Sequence, residues 1–219
     1  MRSLPWIAAL ALAVIAPNAF AQPKSAHKTN PALKNPAALK EKAPEIFKAK
    51  FVTTKGTYVV EVKRAWAPLG ADRFYNLVKN GFFDEIKFFR VVPGFVVQFG
   101  MHGDPAILAK WRDANIADEK VVVGNKKGFL TYAKAGPNTR STQFFINLGE
   151  NSNLDGMGFP AFGHVVQGMD VVDKLYSGYG DGPPSGSGPD QGAIAMQGNV
   201  YLNKEFPKLD SIVTATIVK

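Results

Sequence analysis

One arginine stands out in an apolar stretch, because residues 88–100 read FFRVVPGFVVQFG. Apart from Arg90 and Gln98, this stretch consists of aromatic, β-branched and small residues, and Pro93-Gly94 favours a tight turn between two short strands. A strand pair this apolar is expected to be buried or to line a pocket, where an arginine is rare unless it has a partner or a task. A guanidinium in such a pocket can stabilise a lone pair that develops on a bound group.

The other unusual residues are aromatic rather than ionisable, and they lie within this stretch or directly after Gln143. They are Phe88, Phe89, Phe95, Phe99, Phe144 and Phe145. Together with Arg90, Gln98 and Gln143 they form a set that suits the binding of an apolar group and the polarisation of an amide, not proton transfer. A structural interpretation stays open from these residues alone: Arg90 extends from a sheet edge to solvent, or pairs with Asp84 or Glu85.

Residue types that other active sites use are absent or scattered. The chain has no cysteine, which excludes disulfides, thiolate metal sites and cysteine nucleophiles. His27, His102 and His164 have no carboxylate or second histidine at ligand spacing, so we expect neither a zinc site nor a catalytic triad. The loop at 177–192, SGYGDGPPSGSGPDQG, lacks the glycine spacing of phosphate-binding loops. We therefore predict no cofactor and no metal.

The elements that must position these residues are mostly short strands. Strand patterns lie at 51–62 (a hairpin around Lys55-Gly56), 88–92, 95–99, 128–133, 143–148, 161–166 and 211–218. Helical spacing predicts a helix that opens at Ala71-Asp72 and is capped by Gly81, a second helix over 169–175, and helix-like segments near 106–111 and 200–206. This order favours a mainly β protein with an antiparallel barrel over a parallel α/β sheet.

The net charge is concentrated near the N-terminus. The formal charge is +8; residues 22–50 hold seven Lys and two Glu, whereas residues 51–219 hold eighteen Lys or Arg and sixteen Asp or Glu. A nucleic-acid-binding domain is expected to carry a basic face of its own. The near-neutral main part of the chain therefore argues against nucleic acid as a partner.

The first 21 residues have the pattern of a signal peptide. Arg2 precedes an apolar run from Trp6 to Ala16, and Ala19-Phe20-Ala21 places small residues where signal peptidase recognises its substrate. We predict cleavage before Gln22 and a periplasmic location. The apolar run falls short of the roughly 18 residues that a membrane helix needs, and no cysteine follows it for lipid attachment, so we expect no stable membrane insertion.

Residues 22–50 are rich in Pro, Ala, Lys and Asn, and they predict a mostly extended tether with one short helix over 36–42. The folded domain is then predicted to span 51–219. We interpret the tether as a solvated spacer; an alternative in which its lysines bind the membrane or the cell wall stays open.

Three stretches together resemble the cyclophilin family of peptidyl-prolyl cis-trans isomerases. FFRVVPGFVVQFG is similar to the family's F-H-R-[VI]-[VI]-P-G-F-x-x-Q-G-G, and AKAGPNTRSTQFFINL at 133–148 to A-x-A-G-P-x-T-x-x-S-Q-F-F-I. LDGMGFPAFGHVVQGMDVVDKL at 154–175 resembles the block that passes through F-G-x-V-x-x-G-M-x-V-V. The resemblance covers about residues 51–219. It implies an eight-stranded antiparallel barrel capped by two helices, with isomerase activity at Xaa-Pro bonds.

The resemblance also implies roles for individual residues. The catalytic positions correspond to Arg90, Phe95, Gln98 and Gln143. The substrate-binding positions correspond to Val96, Ala133, Lys134, Ala135, Phe145, Leu154 and Phe159. Among these, Lys134 stands where asparagine is common, and Phe159 aligns with the position of a pocket histidine.

Other departures from the family pattern make this a divergent member. Phe89 replaces the histidine of F-H-R, and Phe99 replaces the glycine after Gln98. Asn153 stands where eukaryotic members carry a tryptophan that helps to bind cyclosporin. We therefore expect weak inhibition by cyclosporin.

These observations lead to two functional hypotheses. In the first, the protein is an exported, monomeric prolyl isomerase that acts on proline-containing, unfolded or partly folded polypeptides. In the second, it is a polypeptide-binding chaperone of the same fold whose catalysis is weak or incidental.

Overall fold

Eight antiparallel strands form one sheet in the computed structural model, which describes residues 30–218. The strands are β1 (Ile46–Thr53), β2 (Gly56–Lys63), β3 (Arg90–Val92), β4 (Val96–Phe99), β5 (Phe129–Tyr132), β6 (Phe144–Asn147), β7 (Ala161–Gln167) and β8 (Ile212–Val218). Their order across the sheet is β3-β4-β6-β5-β7-β2-β1-β8. The predicted strands are thus present, with bounds shifted by at most five residues.

The two edges of this sheet meet and close it into a barrel. The segment that precedes β3 pairs with the start of β8 through a bridge between Lys87 and Ser211. The amide of Phe88 donates to the carbonyl of Asp210 at 3.0 Å, and the amide of Ile212 donates to the carbonyl of Ile86 at 2.8 Å. Closure leaves fewer unpaired backbone groups at the sheet edges. The predicted mainly β architecture with an eight-stranded antiparallel barrel is confirmed.

Six α-helices accompany the strands in the described part of the chain. They are α1 (Pro68–Lys79), α2 (Pro105–Trp111), α3 (Asn153–Gly156), α4 (Met169–Asp173), α5 (Gln191–Gln197) and α6 (Asn199–Glu205). The two predicted capping helices correspond to α1, which packs on β7 and β8, and α4, which packs on β2. None of the helices within residues 30–218 has the length and apolar character required to cross a bilayer.

Helix α1 shows how local sequence sets these elements. Pro68 occupies its first turn, where its missing N–H costs no hydrogen bond. At the C-terminal end Gly81 has φ of 72°, and its amide donates to Val78 while the amide of Phe82 donates to Leu77 at 3.0 Å. This pair of bonds is the Schellman motif. It turns the chain so that Phe82 enters the core, where it is fully buried.

The chain before Phe51 differs from the predicted tether. Strand β1 begins at Ile46, and residues 30–45 contact the barrel instead of extending into solvent. Leu33 is 1% exposed, and its carbonyl accepts a hydrogen bond from the Trp111 indole at 2.8 Å. The physical reason is that a buried indole N–H needs an acceptor. In place of the predicted helix over 36–42, a 3₁₀ turn covers Pro36–Ala38.

The same segment is joined to α1 by polar contacts. The side-chain amide of Asn76 donates to the Glu41 carbonyl at 2.7 Å, and Asp72 accepts from the amide of Ala43 at 2.9 Å. The folded domain therefore begins before Phe51. The predicted signal peptide at 1–21, and residues 22–29 of the predicted tether, lie outside the described residues.

A second apolar cluster lies outside the barrel core. It is formed by α2, α5, α6 and the chain around them, and consists of Phe89, Met101, Leu108, Ile194, Leu202 and Leu209. Helix α5 begins within the last two residues of the glycine-rich stretch at 177–192 and was not predicted. Its seven residues, QGAIAMQ, are too few to show a clear helical period.

We predict that Leu33→Ala lowers the free energy of unfolding of the protein by about 2–5 kcal/mol, because it leaves a cavity in the core cluster that contains Trp111. Leu69→Ala is the matched control, since the Leu69 side chain is 46% exposed on α1 and its loss should change stability by less than about 0.5 kcal/mol. Urea denaturation followed by tryptophan fluorescence measures both. Equal stabilities for the two variants would show that residues 30–45 do not pack as described.

Candidate active site

Three side chains form a row across neighbouring strands on the outer face of the barrel. Arg90 of β3 is directly opposite Gln98 of β4, and Gln98 is opposite Phe145 of β6. Directly opposed residues of antiparallel strands project to the same face of the sheet. Arg90 and Phe145 are therefore positioned on the same face with Gln98 between them.

Hydrogen bonds connect this row to the second predicted glutamine. Arg90 Nη1 donates to Gln98 Oε1 at 3.1 Å, and Gln98 Nε2 donates to Gln143 Oε1 at 2.8 Å. Next to these glutamines, the backbone at Gly100 comes close to the backbone at Thr142. This position needs glycine, because its φ is 104° and a Cβ there would lie 2.0 Å from the Thr142 carbonyl oxygen. The four predicted catalytic residues come together here, since the guanidinium carbon of Arg90 also lies 5.5 Å from the Phe95 ring centroid.

The main partner of Arg90 is a residue that the sequence did not indicate. Asp181 Oδ1 accepts from Arg90 Nε at 2.6 Å, and Asp181 Oδ2 accepts from Arg90 Nη2 at 2.8 Å. This bidentate pair stands in place of a pairing with Asp84 or Glu85. The hydrogen bond from Arg90 lowers the pKa of Asp181, so the carboxylate is charged at neutral pH. Asp181 lies in the glycine-rich loop, where a single acidic residue carries no recognisable motif.

A cluster of apolar side chains, here called the apolar pocket, lies beside the guanidinium, which contacts it through Phe95. Its members are Val96, Phe145 and Leu154, all buried, with Phe95, Ala133 and Phe159 packed against them. The rings of Phe145 and Phe159 meet edge to face, with centroids 6.0 Å apart. Six of the seven predicted substrate-contacting residues thus either belong to this pocket or, like Lys134, touch its wall: Lys134 Nζ lies 5.3 Å from the Phe159 ring centroid.

The remaining predicted residue, Ala135, lies farther from the pocket. With Ala133 and Lys134 it lines an adjoining cavity of about 760 Å³ that also contacts Gln98 and Gln143. The amide of Ala135 donates to Thr139 Oγ1 at 3.0 Å, so its N–H is already in use within this loop. The cavity is large enough for several residues of a bound chain.

A buried polar network around Asn125, which the sequence did not indicate, supports the segment that carries Leu154 and Phe159. Asn125 is 1% exposed; its side-chain amide donates to Asp155 Oδ1 at 2.7 Å and to the Phe159 carbonyl at 2.9 Å. Its Oδ1 accepts from Thr131 Oγ1 at 2.7 Å. Scattered asparagines form no linear pattern, so this network had no signal in the sequence.

The two described histidines pack among aromatic rings. His102 Nδ1 accepts from the amide of Asp104 at 3.0 Å, and burial lowers the pKa of His102. The His164 ring lies 5.5 Å from that of Phe129. Within residues 30–218 no three His, Asp or Glu side chains are arranged to hold a metal ion, and His27 lies outside this range.

Comparison with known proteins agrees with this geometry. Residues 48–194 match the model of the family described as cyclophilin type peptidyl-prolyl cis-trans isomerase/CLD. The chain belongs to the cyclophilin family. Among its relatives, the peptidyl-prolyl cis-trans isomerase ppi1 of Schizosaccharomyces pombe is 37% identical over 128 residues, which are 56% of this chain and 81% of that protein. A peptidyl-prolyl cis-trans isomerase of Acinetobacter baylyi is 35% identical over 129 residues, 56% of this chain and 68% of that protein.

Solved structures show the same fold. A cyclophilin-type isomerase of Cryptosporidium parvum superposes with a TM-score of 0.59 at 20% identity, covering 80% of this chain and 98% of that one. A structure of the same parasite protein in the presence of the dipeptide Ala-Pro gives a TM-score of 0.57 at 21% identity, covering 78% of this chain and 99% of that one. The predicted peptidyl-prolyl cis-trans isomerase activity of this cyclophilin is confirmed by its family and relatives.

Two departures from the family motif have structural explanations. Phe89, in place of histidine, is 2% exposed and belongs to the second apolar cluster with Ile194 and Leu202. Phe99, in place of glycine, points to the opposite side, into the barrel core, where its ring centroid lies 5.8 Å from that of Phe144. Asn153 is exposed at the start of α3.

We predict that Asn125→Ala lowers the free energy of unfolding by about 3 kcal/mol, because each buried polar group left without a partner costs about 1–3 kcal/mol. Asn203→Ala on the exposed face of α6 is the control and should not destabilise, since alanine favours the helix. Urea denaturation compares the two. A cost for Asn125→Ala no larger than for the control would contradict the network described above.

Proposed function

We propose that Arg90 is the electrostatic catalyst of Xaa-Pro rotation in this cyclophilin. The observation that carries the proposal is the position of the guanidinium over the ring of Phe95, which packs against the apolar pocket of Val96, Phe145 and Leu154. Gln98 accepts a hydrogen bond from the guanidinium. A planar guanidinium that stays charged and forms several hydrogen bonds suits this role better than the ammonium of a lysine, which ends a flexible side chain.

The chemistry follows from the amide bond itself. Resonance gives the bond a rotational barrier of about 18–20 kcal/mol, although the trans form before proline is favoured by only about 0.5–1 kcal/mol. Twisting breaks the resonance and leaves a lone pair on the prolyl nitrogen. A cation near that nitrogen stabilises the twisted state more than the planar one, and this difference lowers the barrier.

The other site residues divide the remaining work. Phe95, Phe145 and Leu154 grip the pyrrolidine ring, so that the residue before it rotates. Gln98 and Gln143 orient Arg90 and the carbonyls of the substrate. The chain that precedes the proline extends along the cavity lined by residues 133–135. No bond is made or broken, so no nucleophile is required.

We further propose that the physiological substrates are proline-containing polypeptides that are unfolded or partly folded after export. The signal-like pattern of residues 1–21 supports a periplasmic location. The solved Cryptosporidium parvum relative in the presence of Ala-Pro supports a proline-containing ligand. The protein acts as a monomer, and its domains comprise the signal peptide followed by the barrel with its N-terminal extension.

We predict that Arg90→Ala lowers kcat/KM for a short Xaa-Pro peptide by about 10²–10³-fold, the usual cost of removing one electrostatic stabiliser of a transition state. The kcat/KM of Arg90→Lys should lie between those of the wild type and Arg90→Ala, because lysine keeps the positive charge but lacks the planar guanidinium. A protease-coupled assay measures the rates, with Lys174→Ala, the loss of an exposed cation directly after α4, as control. If Arg90→Ala retained the full rate, the role of Arg90 would be lost, and a polypeptide-binding chaperone with incidental catalysis would be favoured.

We predict that the mature protein is recovered from the periplasmic fraction with Gln22 at its N-terminus. Ala21→Arg should block cleavage, because signal peptidase requires a small residue there, while a conservative Ala21→Ser should be processed normally. Cell fractionation and intact-mass measurement distinguish the forms. An uncleaved wild-type chain in the cytoplasm would refute the export proposal.

A further inference from the structure

The segment that follows α4 and leads into α5 reaches the active site with two side chains. Asp181 accepts two hydrogen bonds from Arg90, at 2.6 and 2.8 Å. At the end of the same segment Gln191 Oε1 accepts from Gln143 Nε2 at 3.1 Å. Both ends of the hydrogen-bonded series Arg90–Gln98–Gln143 are thus in contact with one segment that lies outside the three motif stretches.

The position of Asp181 is fixed by its own loop. The amide of Gly188 donates to the Asp181 carbonyl at 2.8 Å, and the amide of Gly182 donates to Asp181 Oδ1 at 2.8 Å. A Cβ at Gly186 or Gly188 would lie 2.4 or 2.8 Å from the Asp181 carbonyl oxygen. The loop therefore closes around Asp181 in a way that needs glycine at these positions.

A packed platform supports this loop. The ring of Tyr179, two residues before Asp181, meets that of Phe206 edge to face with centroids 5.0 Å apart. Tyr179 also packs against the second apolar cluster, which includes Phe89, the neighbour of Arg90 in the chain. The chain next to Arg90, at Phe89, and the chain next to Asp181, at Tyr179, thus pack on the same apolar cluster. This packing sets the distance between Arg90 and Asp181.

Resting on the catalytic role of Arg90 proposed above, we propose that Asp181 is a positioning residue for this reaction, which holds the guanidinium in the orientation that faces the pocket. A guanidinium has five N–H donors. Asp181 takes one on Nε and one on Nη2, and Gln98 takes one on Nη1. One donor on each Nη atom is left for the substrate.

A carboxylate beside Arg90 also reduces the positive charge that the substrate feels. The Asp181 side chain is 31% exposed, so water screens its charge in part. Water does not screen the geometry. Without Asp181, the Arg90 side chain would keep, among the described residues, the hydrogen bond to Gln98 and the contact with the Phe95 ring. A long side chain with fewer contacts samples more rotamers. Positioning therefore outweighs the partial neutralisation.

The test compares Asp181→Asn with Asp190→Asn in the mature protein. Asparagine keeps the shape of Asp181 and can still accept from Gly182, but it cannot accept from both Nε and Nη2 of Arg90 through two oxygens. Asp190 caps α5 by accepting from the amide of Ala193 at 2.7 Å, and asparagine caps equally well. Asp190→Asn thus removes the same charge from the same segment without touching Arg90. Both variants are also made in an Arg90→Ala background, with kcat and KM measured separately on an Xaa-Pro peptide.

We expect Asp181→Asn to lower kcat by about 10- to 100-fold, as misplacement of a catalytic group does, with KM within about twofold and no further loss in the Arg90→Ala background. Asp190→Asn should keep the wild-type kcat. An unchanged or higher kcat for Asp181→Asn would overturn the inference, and so would an equal loss with and without Arg90, which would indicate a purely structural loop. If Arg90→Ala itself had no effect, the proposed role of Arg90 would fail instead, so the two failures are distinguishable.

Discussion

The double-sided burial of β4 is the constraint on which the rest of this structure depends. Val97 faces the barrel core, whereas Val96 lies in the outer pocket and Gln98 lies next to Arg90. Because side chains alternate along a strand, a shift of pairing by one residue would exchange these two sets. The core packing that fixes the register of β3, β4 and β6 therefore also fixes the row of Arg90, Gln98 and Phe145. Core packing and the geometry of the candidate site have the same origin here.

The local patterns of the sequence were sufficient for the barrel and for most of the pocket. Strands with alternating or continuous apolar residues, the turn at Pro93-Gly94 and the cap at Gly81 are decided within a few residues, and each was predictable. The residues of the apolar pocket were predictable by family resemblance. The motif stretches that carry Phe95, Gln98, Gln143 and Phe145 form or adjoin the paired strands β4 and β6, so residues that match the motifs also come together in the fold.

What could not be predicted depends on contacts between distant parts of the chain. Arg90 and Asp181 are 91 residues apart, and Trp111 and Leu33 are 78 residues apart. In each case one partner lies in a segment rich in proline, glycine or lysine, which by composition alone is typical of a loop or a linker. Such a segment packs here against a buried donor, Trp111, or a partly buried cation, Arg90, whose need for an acceptor is not visible in the sequence of the segment itself.

The divergent residues of the motif and the segment after α4 are best understood together. A histidine at position 89 would place a polar ring in the apolar cluster with Ile194 and Leu202, where phenylalanine is buried without an unsatisfied nitrogen. Phe89 thus provides part of the apolar surface on which α5 and α6 rest, and that surface holds the loop that carries Asp181. The substitution beside Arg90 and the carboxylate that binds Arg90 are therefore two parts of one structural feature, in which the segment between α4 and α6 packs beside Arg90.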